Sequence, residues 1–121
     1  MHPRRGEVWW VSFDPSIGGE IQKTRPAVIL SNDAANIALN RVIVVPISSQ
    51  VEKIYPSEAP VTLNGERRKA MADQIATASK LRLQNRLGTL SRSDMTAVEN
   101  ALLLQLAIRR EGSCPKASGL Y

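Results

Sequence analysis

Few side chains in this chain of 121 residues can act as nucleophiles or metal ligands, since it holds one cysteine, Cys114, and one histidine, His2. A lone cysteine cannot close an intramolecular disulfide, and Cys114 lies in a Gly112-Ser113-Cys114-Pro115 stretch that reads as a plain tail. One Cys and one His are too few for an ordinary zinc site. Catalysis here would have to run on guanidinium, hydroxyl and carboxylate groups, leaning on orientation and electrostatic stabilisation. Residues of those types are spread along the chain: Arg25 stands just before Pro26, Ser48 and Ser49 follow the apolar run that begins at Arg41, and Glu20 lies in the polar, Gly-containing connection that runs from Ser16 through Lys23. Each also has a plain reading. An arginine before a strand is commonly a surface charge or an ion-pair partner, a serine there caps backbone groups, and a loop carboxylate is solvated. The basic run Arg67-Arg68-Lys69 can track a polyanion or be simply solvated, and the amides of Asn32 and Gln74 can read base edges or close local turns. Trp9 and Trp10 alternate in facing, so one goes to the core while the other can stack on a base or fill a contact between copies.

These groups need a frame, and the first half of the chain supplies it as β structure. Glu7 to Phe13 is rich in aromatic and β-branched residues and ends at Asp14-Pro15, a turn signal. Pro26 to Leu30 is a short apolar run closed by Ser31-Asn32-Asp33, and Arg41 to Ile47 is a continuous one, as expected of a strand buried on both faces. Pro46 lacks a ladder donor, which places that end at a sheet edge or bulge. Two weaker strands are expected at Ala59–Leu63 and Lys69–Ala78, with the turn dipeptide Asn64-Gly65 between them and the basic run lengthening the connection. A helical turn follows at Lys80–Leu83, then a last short strand at Arg86–Leu90. The C-terminal segment reads as a helix: Ser91 is its N-cap, Asp94 suits the positive end of its dipole, and Met95, Val98, Leu102 and Leu106 form one apolar stripe. Arg109 and Arg110 fall in the expected last turn, and Gly112 marks the stop. Short strands followed by one helix predict a mainly β fold, a small barrel or curled sheet with the helix packed on it.

The length fits one domain, expected over residues 1–112, with a short tail at 113–121. Net charge is +5, and it is unevenly placed: residues 1–60 carry six Lys/Arg against six Asp/Glu, whereas residues 61–121 carry ten against five. Such a surplus favours polyanionic partners through steering and counterion release. No apolar run approaches the roughly 20 residues that span a bilayer, so no membrane partner is expected. Arg4-Arg5 is not followed by the apolar segment of a secretory signal, which makes the cytoplasm the expected address.

Several blocks, in order, resemble the MazF/PemK toxins. Arg5-Gly6-Glu7-Val8-Trp9, Asp14-Pro15-Ser16-Ile17-Gly18-Gly19-Glu20 and Lys23 through Asp33 are similar to the family's N-terminal signature. Pro46-Ile47-Ser48-Ser49-Gln50 resembles its second block, and Ala72-Asp73-Gln74-Ile75 with Leu87–Leu90 its third. The resemblance runs from about Arg4 to Arg110. It implies an SH3-like β-barrel, usually a homodimer, that cleaves single-stranded RNA at short motifs without metal or other cofactor. It also implies a cognate antitoxin whose acidic, partly disordered segment occupies the RNA groove.

By that resemblance Arg25 matches the catalytic arginine and Ser48 the position usually held by threonine. A guanidinium fork suits the charge of a phosphorane, and a hydroxyl can donate to a non-bridging oxygen. A guanidinium makes a poor general base, and Glu20 is the candidate base or positioning carboxylate. Lys23, Thr24, Asn32, Ser49, Gln50, Arg67, Arg68, Lys69 and Gln74 complete the expected RNA-binding set. Two other readings share the fold: a non-enzymatic toxin that inhibits a topoisomerase by protein–protein contact, and an RNA-binding module without catalysis. The pairing of a fork donor with a hydroxyl favours catalysis over either.

Overall fold

The computed structural model describes residues 2–13, 18 and 23–109. Seven strands and two helices follow in the order β1 (Glu7–Ser12), β2 (Thr24–Ile29), α1 (Asp33–Ala38), β3 (Arg41–Ser48), β4 (Glu58–Leu63), β5 (Glu66–Met71), β6 (Ala76–Ser79), β7 (Leu83–Thr89) and α2 (Arg92–Gln105), with 3-10 turns at Ala72–Gln74 and Lys80–Arg82. The strands pair in the order β4-β5-β3-β2-β1-β7, with β6 also on β3, and every pairing is antiparallel. The result is a curled half-barrel with a C-terminal helix, as the mainly β reading requires.

β3 is the pivot. One edge pairs β2 over Val44–Pro46. The other edge pairs β6 over Arg41–Val44 and then β5 at Ile47–Ser48. Pro46 therefore lies inside the sheet, at the break where β3 changes partner and the ladder on that edge lapses, which is how a residue without an N–H is accommodated.

The sheet is apolar on both faces. On one, Val8, Val28, Val45 and Ile47 pack with Val61 and Leu63 of β4 and with Met95, Val98 and Ala101 of α2. On the other, Trp9, Val11, Ala27, Ile29, Val42, Val44 and Ala78 form a smaller cluster with Phe13 and Leu83 against it. This alternation fixes which side of the sheet each polar residue faces.

Several expectations change in detail. The β4–β5 hairpin does turn at Asn64-Gly65, with φ of 51° and 83°, the left-handed pair of a type I′ turn. The basic run does not lengthen it: Arg67, Arg68 and Lys69 are inside β5. The strand expected at Lys69–Ala78 is two strands divided by the 3-10 turn, because β5 and β6 meet different stretches of β3. α1 is an element the sequence does not announce; its six residues carry too short a pattern to register. α2 ends at Gln105 with Leu106 as its C-cap and Ala107 at φ 56°, so Arg109 lies past it rather than in its last turn. Gly112 and the 113–121 tail lie outside the described residues.

Candidate active site

Arg25 sits near the start of β2, opposite Val11 of β1, and is half-buried. Just before it, Lys23 takes a left-handed φ of 63° while its carbonyl accepts from the Phe13 N–H at 2.8 Å, closing the β1–β2 ladder. This kink on a non-glycine residue sets the direction in which the chain enters β2. On the other edge, Ala27, Val28 and Ile29 pair with Pro46, Val45 and Val44. The pairing ends at Ala27 and Pro46; carried on by two residues, its register would set Arg25 opposite Ser48. Alternation agrees: Arg25 shares its face with Ala27 and Ile29, and Ser48 shares its face with Val42 and Val44, all four in the smaller apolar cluster. By alternation Arg25 and Ser48 thus belong to the same face as this apolar cluster. Ser48 is 6% exposed, and its Oγ accepts from the Gln50 N–H at 3.1 Å. That bond occupies an acceptor site and leaves the hydroxyl its own proton to donate.

Next to Ser48 on the far side stands Lys69, its register partner on β5. Here the structure corrects the sequence reading. Lys69 is buried, with its ammonium 3.0 Å from Glu58 Oε1 and 2.8 Å from the Lys53 carbonyl, so it is spent on an internal ion pair instead of a phosphate. Arg67, two residues earlier on the same side of β5, is exposed. Arg68 points to the opposite side and pairs with Glu66 at 3.2 Å.

The remaining candidates scatter. Asn32 caps α1, its Oδ1 accepting from the Ala35 N–H at 2.9 Å, which is the local-turn role. Gln74 is the last residue of the 3-10 turn between β5 and β6, and Thr24 faces away from Arg25 by alternation. Ser49 and Gln50 are exposed just after β3. Glu20 lies outside the described residues. The frame residue Glu7 carries no chemical signal in the sequence beyond its family block, yet its carboxylate holds the Trp9 indole N–H at 3.1 Å and Arg86 Nε at 3.3 Å.

A profile of the PemK-like, MazF-like toxins of type II toxin–antitoxin systems matches residues 4–106, with the Arg25–Ser48 frame inside it. The chain belongs to this family. It is 38% identical over 112 residues to the endoribonuclease MazF9 of Mycobacterium tuberculosis, which covers 85% of this chain and 95% of the relative. Among solved structures it resembles MazF from Deinococcus radiodurans at a TM-score of 0.79 and 24% identity, covering 89% of this chain and 99% of the other. An endoribonuclease in complex with its cognate antitoxin from a mycobacterial species superposes at 0.75 and 23% identity, over 89% and 98% of the two chains.

A cleft of about 300 Å³ opens between β3 and α2, lined by Leu30, Ile43, Ile75, Leu102 and Leu103 together with Arg5, Ser31 and Glu99. Ile43 shares its side of β3 with Val45 and Ile47, so the cleft is on the other face from Ser48. Among the described residues, no three His, Cys, Asp or Glu side chains gather where they can hold a metal ion, and no helix is long and apolar enough to cross a membrane.

Proposed function

We propose that this chain is the toxin of a type II toxin–antitoxin pair, an endoribonuclease that cuts single-stranded RNA by transphosphorylation without metal. What supports the reading is that Arg25 and Ser48 fall on one face of neighbouring strands by alternation, and that the β2–β3 register, carried on by two residues, would set them opposite each other. The ribose 2′-oxygen attacks phosphorus, the bond from phosphorus to the 5′-oxygen breaks, and the ends are a 2′,3′-cyclic phosphate and a 5′-hydroxyl. Arg25 stabilises the charge gathered on the phosphorane, and the Ser48 hydroxyl donates to a non-bridging oxygen. One proton must leave the 2′-oxygen and one must reach the 5′-oxygen; Glu20 is the proposed acceptor of the first, and water the proposed donor of the second. Thr24, Asn32, Ser49, Gln50, Arg68 and Gln74 carry weaker claims to RNA contact than Lys23 and Arg67, because geometry commits or turns several of them away. We further propose that the chain works as a homodimer and is silenced by a cognate antitoxin whose acidic segment covers this basic face.

The test is incubation with a long single-stranded RNA in excess EDTA, followed by mapping of the ends. Cleavage with cyclic-phosphate ends is expected. Intact RNA, or cutting only after metal is restored, overturns the metal-free mechanism, and intact RNA under all conditions favours a non-enzymatic toxin. Folded Arg25→Ala is expected to lose cleavage by about a hundredfold or more, as when one oxyanion donor is removed, and Ser48→Ala to lose less. An unchanged single-turnover rate in Glu20→Gln dismisses Glu20 as the base.

A further inference from the structure

Among the described Tyr, Trp and Phe residues, Tyr55 is the one most open to solvent, at 52% exposed. Isolated, an exposed tyrosine carries no argument, but this one is held in place. Its backbone N–H donates to Glu58 Oε1 at 2.9 Å and its carbonyl accepts from the Glu58 N–H at 2.9 Å. Its ring centroid is 5.8 Å from the Lys69 ammonium and 5.5 Å from that of Lys53. Lys69 is itself fixed by Glu58 and the Lys53 carbonyl, and its Cα is the ladder partner of Ser48. Residues directly opposite in an antiparallel pair point to the same side, so Ser48, Lys69 and Tyr55 follow one another across one surface. A contiguous chain of rigid contacts links the proposed catalytic hydroxyl to an open aromatic ring.

The stacking expected of Trp9 or Trp10 falls to neither at this surface. Trp9 is buried in the smaller cluster, and Trp10 points with Val8 to the other face. Tyr55 has the exposure and the side of the sheet that they lack. Its neighbours select the ligand as well: Glu58 is neutralised by Lys69, while Lys53, which has no ion pair among the described residues, stands beside the ring. A flat π surface with a cation at its edge suits a nucleobase and its phosphate.

The geometry points to Tyr55 as the stacking platform for a nucleobase about one or two nucleotides from the scissile phosphate, with Lys53 meeting that nucleotide's phosphate. This rests on the endoribonuclease reading above. The experiment separates the two. Single-stranded 2′-fluoro RNA oligonucleotides, which lack the internal nucleophile, carry 2-aminopurine at successive positions and are titrated with the wild-type protein and with Tyr55→Phe, Tyr55→Leu and Tyr55→Ala. In parallel, KM, kcat and the cleavage-site map are measured on ordinary RNA. Fluorescence is expected to be quenched at one position by wild type and Tyr55→Phe and not by the other two. KM should rise about five- to a hundredfold in Tyr55→Ala with kcat nearly kept, together with relaxed base preference at that position. Tyr55→Leu, which retains apolar cover over Lys69, should behave like Tyr55→Ala. Quenching and KM at wild-type values in folded Tyr55→Ala would overturn the stacking role while leaving the nuclease standing. Tyr55-dependent quenching by a protein that cuts no RNA would do the reverse.

Discussion

Lys69 and Asp33 carry consequences that can be measured one side chain at a time. The Lys69 and Glu58 side chains are only 10% and 9% exposed, so neither charge is well served by water if its partner goes. Breaking a buried pair from one side typically costs 3–5 kcal/mol, and with this residual exposure Lys69→Ala should cost about 3 kcal/mol in denaturant unfolding. The double replacement Lys69→Met with Glu58→Leu should recover most of that. An equal loss in single and double variants would contradict the pairing argument. Asp33 acts through acid stability. Its carboxylate accepts from the Arg5 backbone N–H at 2.8 Å and from Asn36 Nδ2 at 3.2 Å, and these bonds hold its pKa below the ordinary aspartate value. A carboxylate depressed in the folded state contributes stability above its unfolded pKa, near about 4, and loses it as pH falls through the folded value. Asp33→Asn should therefore lower Tm at neutral pH, with the gap to wild type closing as the buffer is acidified below about pH 4. A gap independent of pH in calorimetry would refute this.

α2 carries both kinds of information at the element scale, contacts encoded locally and contacts that only the fold creates. Ser91 caps it as expected, its Oγ accepting from the Asp94 N–H at 3.1 Å, and Ser91→Ala should cost about 1 kcal/mol, read as a lower midpoint in urea. A midpoint unchanged within error would mean that packing alone holds this end. The capping signal is legible in the sequence because it is local. Asp94 reads there as a dipole partner, but its Oδ2 also accepts from the Thr62 N–H at 2.8 Å, fastening the helix to β4, and no local pattern carries that contact. The same division runs through the rest of the fold. Asn64-Gly65 encodes its own turn, so the β4–β5 hairpin is readable, whereas the split between β5 and β6 depends on β3 changing partner more than twenty residues earlier. Arg5 reads as part of a motif and nothing more. In the fold it binds the Leu30 carbonyl at 3.0 Å and Glu99 at 2.6 Å, joining the N-terminus to α2 across distances the sequence does not display. For the site, resemblance singles out Arg25 and Ser48; that both fall on one face follows from strand pairing and alternation, which no local pattern carries. Tyr55 leaves no signal, because an exposed tyrosine in a loop looks alike with or without lysines fixed beneath it.

For the molecule as a whole, the question is where its excess of positive charge acts. The surplus lies in residues 61–121, ten cations against five anions, but the fold does not deploy it evenly. Lys69 is neutralised inside, Arg68 leans on Glu66, and Arg86 lies beside Glu7. Arg67 is exposed on the Ser48 side of β5 and carries no such ion pair among the described residues. If charge acts by meeting phosphates, the salt dependence of RNA affinity should count contacts, at a slope of about 0.7 per phosphate for a single strand. Arg67→Ala should thus weaken binding at low salt and flatten the plot of log affinity against log salt by about 0.7. Arg68→Ala should flatten it less. The folded Lys69→Met, Glu58→Leu double variant should leave the slope unchanged, since it removes no charge that faces solvent. Fluorescence anisotropy with a short uncleavable RNA, titrated from about 50 to about 300 mM salt, measures all three. Equal slope changes for Arg67 and Arg68 would show that the basic excess acts as a diffuse field, with no role for the side of β5 on which each arginine stands.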